Sequence, residues 1–219
     1  MHVGPPQSVA DLPGVIPVFP LAGVLLLPHG RLPLNIFEPR YLAMTLDALA
    51  TPSRLIGMIQ PTEPEAPGRP PNLYDTGCAG RIASFSETDD GRYLITLAGV
   101  CRFKIAEEVA MHNGYRRVVP RFAPFSGDLA QEANYALDRE RLGKALKRYF
   151  AANSIAADLR SMSDASDDRL VTTLAMICPF EPREKQALLE TPEAGERARL
   201  LIALLEMAAA GGGQDNARH

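Results

Sequence analysis

Cysteine is scarce in this 219-residue chain, and Cys78, Cys101 and Cys178 lie far apart with no Cys-x-x-Cys pair. That pattern argues against a disulfide framework and a thiolate zinc site, so buried free thiols are the expected state. Of only four histidines, His2 and His219 sit at the chain ends. His29 and His112 alone cannot build a metal cluster. An excess of positive charge is also missing: the net charge is -3, which gives no overall drive toward nucleic acid. Long hydrophobic runs are lacking too, since Leu200 to Ala210 is too short to span a bilayer and carries Glu206. Met1 to Pro13 has no basic start followed by an apolar core, so no secretory signal is expected and the chain reads as cytoplasmic. No Gly-x-x-x-x-Gly-Lys-[Ser/Thr] phosphate loop and no Gly-x-Ser-x-Gly elbow occurs. Neither a cofactor nor a catalytic residue is expected.

What is present begins with a hydrophobic content of 46%, enough for a real core. From Val15 to Phe122 the pattern predicts short strands: Val15 to Phe19, Val24 to Leu27, Leu32 to Ile36, Leu55 to Gln60, Gly80 to Ser86, Tyr93 to Leu97, Cys101 to Glu107 and Tyr115 to Arg121. Their brevity and Pro or Gly punctuation point to a small barrel. Asp90-Gly91 has the chemistry of a tight hairpin. A helix from Pro39 to about Ala50 is predicted by Pro at a first helical position and a Leu42, Leu46, Leu49 stripe, with Glu38 at its positive end. Residues 61 to 72 are proline-rich and read as an exposed loop.

From Asp128 onward the hydrophobic period lengthens to about 3.6 residues and helices are predicted. Asp128 with Gln131 reads as a capping pair, and Leu142, Ala145, Leu146, Tyr149 and Phe150 as the buried face of the first helix. A second helix runs from near Asp167 to Ile177, a third from Pro182 to Leu189, and a fourth opens at Thr191-Pro192 and carries Leu201, Leu204 and Leu205. The expected class is α+β, with a barrel over 14 to 125, helices over 126 to 210, and flexible tails at 1 to 13 and 211 to 219.

Ile16 to Tyr41 is the most informative segment: Pro17-Val18-Phe19-Pro20-Leu21, Leu27-Pro28, Leu32-Pro33-Leu34 and Ile36-Phe37-Glu38-Pro39-Arg40-Tyr41 follow one another in fixed order. It resembles the opening of the Lon N-terminal domain, the substrate-binding domain of ATP-dependent Lon proteases. Tyr74, Gly77, Ile82, Asp90-Gly91-Arg92, Gly99 to Ile105, Pro179, Glu184 to Glu190 and Glu196-Arg197 extend the resemblance to about Leu205. It implies a PUA-like β-barrel followed by a helical bundle. Full-length Lon proteases add an ATPase and a Ser-Lys peptidase; neither the phosphate loop nor a Pro-Ser-Ala-Gly segment is found here. The expectation is a stand-alone, non-catalytic domain that binds unfolded or partly folded polypeptides or a protein partner, in quality control or as an adaptor for proteolysis. The alternative is an RNA-binding PUA-like module, against which the acidic balance weighs. A small-molecule pocket is a third possibility, but no extra ligand-binding domain remains to supply it.

Glu38, Arg40 and Tyr41 read first as fold markers, with Glu38 at the helix start and Tyr41 anchoring the helix to the barrel. Arg102 and Lys104 alternate with Cys101, Phe103 and Ile105, so one set faces in and the other out, onto a solvated strand face. Basic residues from Arg139 to Arg148 are interspersed with acids and read as a solubilising face. His29 and His112 read as turn residues. Capture of unfolded chains needs exposed apolar surface, for which Leu25, Leu26, Phe37, Phe122 and Phe125 are the candidates. Ordinary packing would place each in the core.

Overall fold

A computed structural model describes residues 6–64, 69–130, 135–153 and 165–215. The N-terminal half supplies β1 (Ile16–Pro20), β2 (Arg31–Ile36), α1 (Pro39–Ala50), β3 (Leu55–Ile59), β4 (Thr76–Glu87), β5 (Tyr93–His112) and β6 (Tyr115–Arg121). The C-terminal half supplies α2 (Arg139–Ala152), α3 (Asp167–Ile177), α4 (Pro182–Glu190) and α5 (Ala194–Asp215). The class is α+β, as the two hydrophobic periods predict.

The six strands run in the order β2-β5-β4-β3-β1-β6, and a further β5–β6 pairing closes five of them into a ring with β2 outside it. Only β1 and β3 are parallel. The long β5 makes this possible: its first part pairs with β2 from Ala98 to Tyr93, and its last part pairs with β6 from Lys104 to His112. Gly99, which divides two predicted strands, does not break β5. A Cβ there would meet Leu27 O at 2.0 Å, so the glycine admits a neighbouring main chain rather than ending a ladder. Asp90-Gly91 does turn a hairpin, but over a longer loop in which Thr88 N donates to Arg92 O (2.9 Å) and Gly91 takes φ +77°. The second hairpin is a two-residue turn at Asn113-Gly114, both with positive φ.

Val24 to Leu27 is not a strand. Its three leucines are buried instead, with Leu26 packed over Gly80 and the Leu27 carbonyl against Gly99. The helix α1 lies where predicted, yet its buried face is Tyr41, Met44, Thr45 and Ala48, while Leu46 is exposed. Tyr41 packs on Phe19 with ring centroids 4.2 Å apart. Glu38 precedes the helix without a side-chain cap bond and pairs with Arg40 Nη2 at 2.9 Å.

Two apolar clusters hold the molecule. One takes residues from all five ring strands (Ile16, Val18, Leu55, Ala79, Cys101, Phe103, Val118) and adds Phe122 and Phe125 from the turn after β6. Phe103, fully buried, lies against Gly57 and Gly77, where added Cβ atoms would meet its ring at 2.9 and 2.7 Å. The other joins Leu25 to Leu27, Tyr41, Met44 and Ile95 to Leu146, Tyr149, Leu174, Leu188 and Leu201 of the helices. Sheet and helices therefore share this second core. Polar side chains reinforce the seam. Lys185 Nζ donates to Gly23 O (2.9 Å), and Gln60 Nε2 donates to Pro182 O (2.9 Å).

Asp138 and Ser166 cap α2 and α3, accepting from Arg141 N and Arg169 N. Asp128 does not cap a helix: it ends a short 3-10 stretch and its carboxylate faces Arg102. Its supposed partner Gln131 lies outside the described residues, as do 1–5 and 216–219 of the two tails. The rest of the first tail is ordered, with Asp11 accepting from Ser8 N (2.9 Å) and Gln7 N (3.0 Å) while Val9 and Leu12 pack on the ring core. The α5 backbone continues through Asp215.

Candidate functional site

Below Val18 and Gly57, β1 and β3 part company. The parallel register runs from Val18↔Gly57 to Pro20↔Ile59. The earlier residues Ile16 and Pro17 keep only their pairing with β6, and Leu55 and Ile56 only theirs with β4. Pro17 has no N–H to give to a ladder. The divergence opens a groove of about 880 Å³, toward the upper end of the range for ligand sites. Its walls come from the N-terminal arm (Leu12, Pro13, Val15), the end of α1 and the turn after it (Ala48, Pro52) and the ring of strands (Leu55, Arg81, Tyr115, Arg117). Val15 is 43% exposed, so apolar surface is presented to solvent there.

The polar groups in this groove are already oriented. Asp47 accepts from Tyr115 Oη (2.8 Å) and Asn113 Nδ2 (3.0 Å), with His112 Nε2 at 3.6 Å. Burial, and then the Asp47 carboxylate, push the Tyr115 phenol up to about 12, so it stays a donor at neutral pH. The Asp11 carboxyl is held below its ordinary value by main-chain donors from Ser8 and Gln7. Arg117 donates to Ala110 O at 2.9 and 3.1 Å. An apolar, proline-lined cleft of this size can take an extended chain. Among the described residues no group of three or more His, Cys, Asp or Glu is placed to hold a metal ion.

None of the five apolar candidates lines this groove. Leu25 (2% exposed) and Leu26 (1%) lie in the shared core, and Phe122 (6%) and Phe125 (9%) close the end of the ring. They fill space between elements, so none lines a ready-made peptide rim. Phe37 alone is exposed, at 61%, beneath the Arg92 guanidinium. The five do not converge.

Arg102 reverses the expectation of a solvated strand face. It is 3% exposed and grips Asp128 with two parallel bonds, Nε to Oδ2 (2.9 Å) and Nη2 to Oδ1 (2.8 Å). Its remaining donors reach Leu189 O (3.1 Å), Thr191 O (2.7 Å) and Pro192 O (3.0 Å), the carbonyls at the end of α4. Arg197 adds a bond to Leu188 O (3.1 Å). Its own charged form is disfavoured, first by burial and then by Arg102. Beside this clamp lies a 270 Å³ cleft that includes His29, Asp168 and Thr172. The alternation of β5 shows which face Arg102 takes only once Asp128 is known to lie behind it, 26 residues away.

The chain matches the model of the ATP-dependent protease La (LON) substrate-binding domain over residues 15–207 and belongs to that family. It is similar to the Lon protease of Anaeromyxobacter dehalogenans (strain 2CP-C), 27% identical over 209 residues, 93% of this chain and 24% of that protein. It is also similar to Lon protease 2 of Myxococcus xanthus, 26% identical over 198 residues, 89% of this chain and 24% of that one. The chain thus spans about a quarter of the length of these curated relatives. Among solved structures, a Lon N-terminal domain protein from Xanthomonas campestris superposes with a TM-score of 0.58 at 22% identity, covering 86% of this chain and 97% of that one. The N terminal domain of Mycobacterium avium complex Lon protease gives 0.56 at 18% identity, covering 87% and 97%. These likenesses establish the fold.

Proposed function

We propose that this protein binds polypeptide segments, or a protein partner presenting one, without catalysing a reaction, and that the groove between the N-terminal arm and the barrel is where they seat. The carrying observation is the match to a substrate-binding domain across nearly all of the chain. The open apolar groove at Val15 and Pro13 supports it, because unfolded chains are distinguished from folded ones by the apolar side chains they expose. On this reading the ring is the PUA-like barrel of the family, residues 14–125 and 126–210 are its two parts, and the protein serves quality control or delivery to a protease in the cytoplasm. Matches confined to the substrate-binding domain fit a protein without peptidase activity.

The test is competition. A fluorescent reduced, carboxymethylated lysozyme should bind the purified protein, and Val15→Asp should weaken that binding about tenfold, the loss of roughly one well-buried apolar contact. Equal binding by the variant would remove the groove from the reading. A salt-dependent shift of structured RNA by the protein, with no polypeptide binding, would replace it.

A further inference from the structure

Strand β2 stands at the end of the sheet, hydrogen-bonded to β5 on one side only. Which main-chain groups it leaves open follows from the ladder. Gly99 N donates to Gly30 O (2.9 Å), and the next pair is Arg31↔Ala98. Bonded and non-bonded pairs alternate in an antiparallel ladder. Leu32, Leu34 and Ile36 therefore exchange bonds with β5, while Arg31, Pro33 and Asn35 turn their main-chain groups outward. Pro33 agrees with this parity, because a proline is tolerated only where no donor is required. The outer edge thus offers three carbonyls and two N–H groups, those of Arg31 and Asn35. All three residues are exposed, and none of their main-chain groups has a partner outside β5 among the described residues.

The same face carries apolar surface. The register Asn35↔Leu94 places Leu94, 45% exposed, beside the edge, and Phe37 follows at the strand's end. Arg31 makes no ion pair among the described residues, so the edge begins with an uncompensated cation. A row of unpaired carbonyl and amide groups is complementary to the backbone of an extended chain. A cation directly opposite an added strand favours a carboxylate there.

We propose that β2 is a strand-addition site: an extended polypeptide segment pairs with its outer edge, laying alternate apolar side chains over Pro33, Leu94 and Phe37 and a carboxylate against Arg31. This rests on the polypeptide-binding reading but assigns a second surface and a backbone-directed mode. The incoming strand satisfies the open edge whatever its sequence. The apolar and acidic preferences come from the face.

Amide hydrogen exchange of the unsubstituted protein, with and without saturating reduced, carboxymethylated lysozyme, tests it. Arg31 and Asn35 amides should slow by about tenfold or more on binding, while the Leu34 amide, already bonded to β5, changes little. Asn35→Pro removes one outward donor at the parity Pro33 already occupies and should weaken binding about tenfold. Arg31→Glu should weaken it more at low salt than at high. Bound polypeptide with unchanged exchange at Arg31 and Asn35 overturns strand addition and leaves polypeptide binding standing. No polypeptide binding at all overturns both. Protection of these amides by self-association, without polypeptide, assigns the edge to a second copy and also overturns the proposal.

Discussion

Arg102 is the residue on which the join between sheet and helices turns. It satisfies Asp128 and three carbonyls at and just beyond the end of α4, and its guanidinium lies 4.7 Å from the centre of the Phe125 ring. Truncation leaves a buried carboxylate without its partner, which typically costs about 3–5 kcal/mol. Arg102→Ala should therefore lower the urea midpoint strongly, and adding Asp128→Ala should restore part of the loss. A double mutant as unstable as the sum of the singles would show no coupling. The buried acids make a second residue-scale prediction. Burial raises Cys101 to about 12 and Cys178 to about 11, against an ordinary 9.0, and raises Tyr149 to about 12. A group whose folded state holds its proton more tightly favours folding until the unfolded chain begins to lose that proton. Stability should thus hold from neutral pH up to about pH 9 and fall from there toward pH 12, read as a declining urea midpoint. Below pH 9 a thiol reagent should label these cysteines only on unfolding.

At the scale of elements, the glycine gap in β5 deserves a direct test. The Leu25 to Leu27 segment lies against the sheet only because Gly99 has no side chain, so Gly99→Val should cost about 1–3 kcal/mol by overpacking. A variant as stable as the parent would contradict that placement. Much of the element order was legible: β1, β2, β3, β6 and α1 through α4 follow from apolar periodicity, proline at helix starts and turn chemistry, all of which act over a few residues. What was not legible depends on distant partners. Periodicity could not tell that Val24 to Leu27 would plug a core instead of joining a ladder, since burial on all sides removes the alternation that marks a half-exposed strand. Nor could it show α1 turning Met44 and Thr45 inward in place of Leu46. The groove was invisible for the same reason, because it arises where β1 and β3 stop pairing, a matter of register between segments some 40 residues apart. Phe122 and Phe125, candidates for exposed apolar surface, pack instead into the cluster inside the ring, because their partners lie on strands far along the chain.

At the scale of the molecule, one apolar cluster spans ring and helices, and buried polar side chains cross the same seam. The two halves should unfold together. Far-ultraviolet circular dichroism, which follows the helices, and tyrosine fluorescence in a Tyr135→Phe, Tyr149→Phe background, where the remaining Tyr41, Tyr74, Tyr93 and Tyr115 all lie in the N-terminal half, should trace coincident urea transitions. Separate transitions would mean the halves are independent. The groove and the outer edge of β2 lie exposed on this shared framework. The central claim is that the protein recognises polypeptides by what unfolding exposes. The most direct measurement is the affinity of the purified protein for one polypeptide in two states, lysozyme native and lysozyme reduced and carboxymethylated, with no nucleotide present. Saturable binding of the unfolded form and none of the native form is the result expected; binding of neither, or of both equally, would contradict it.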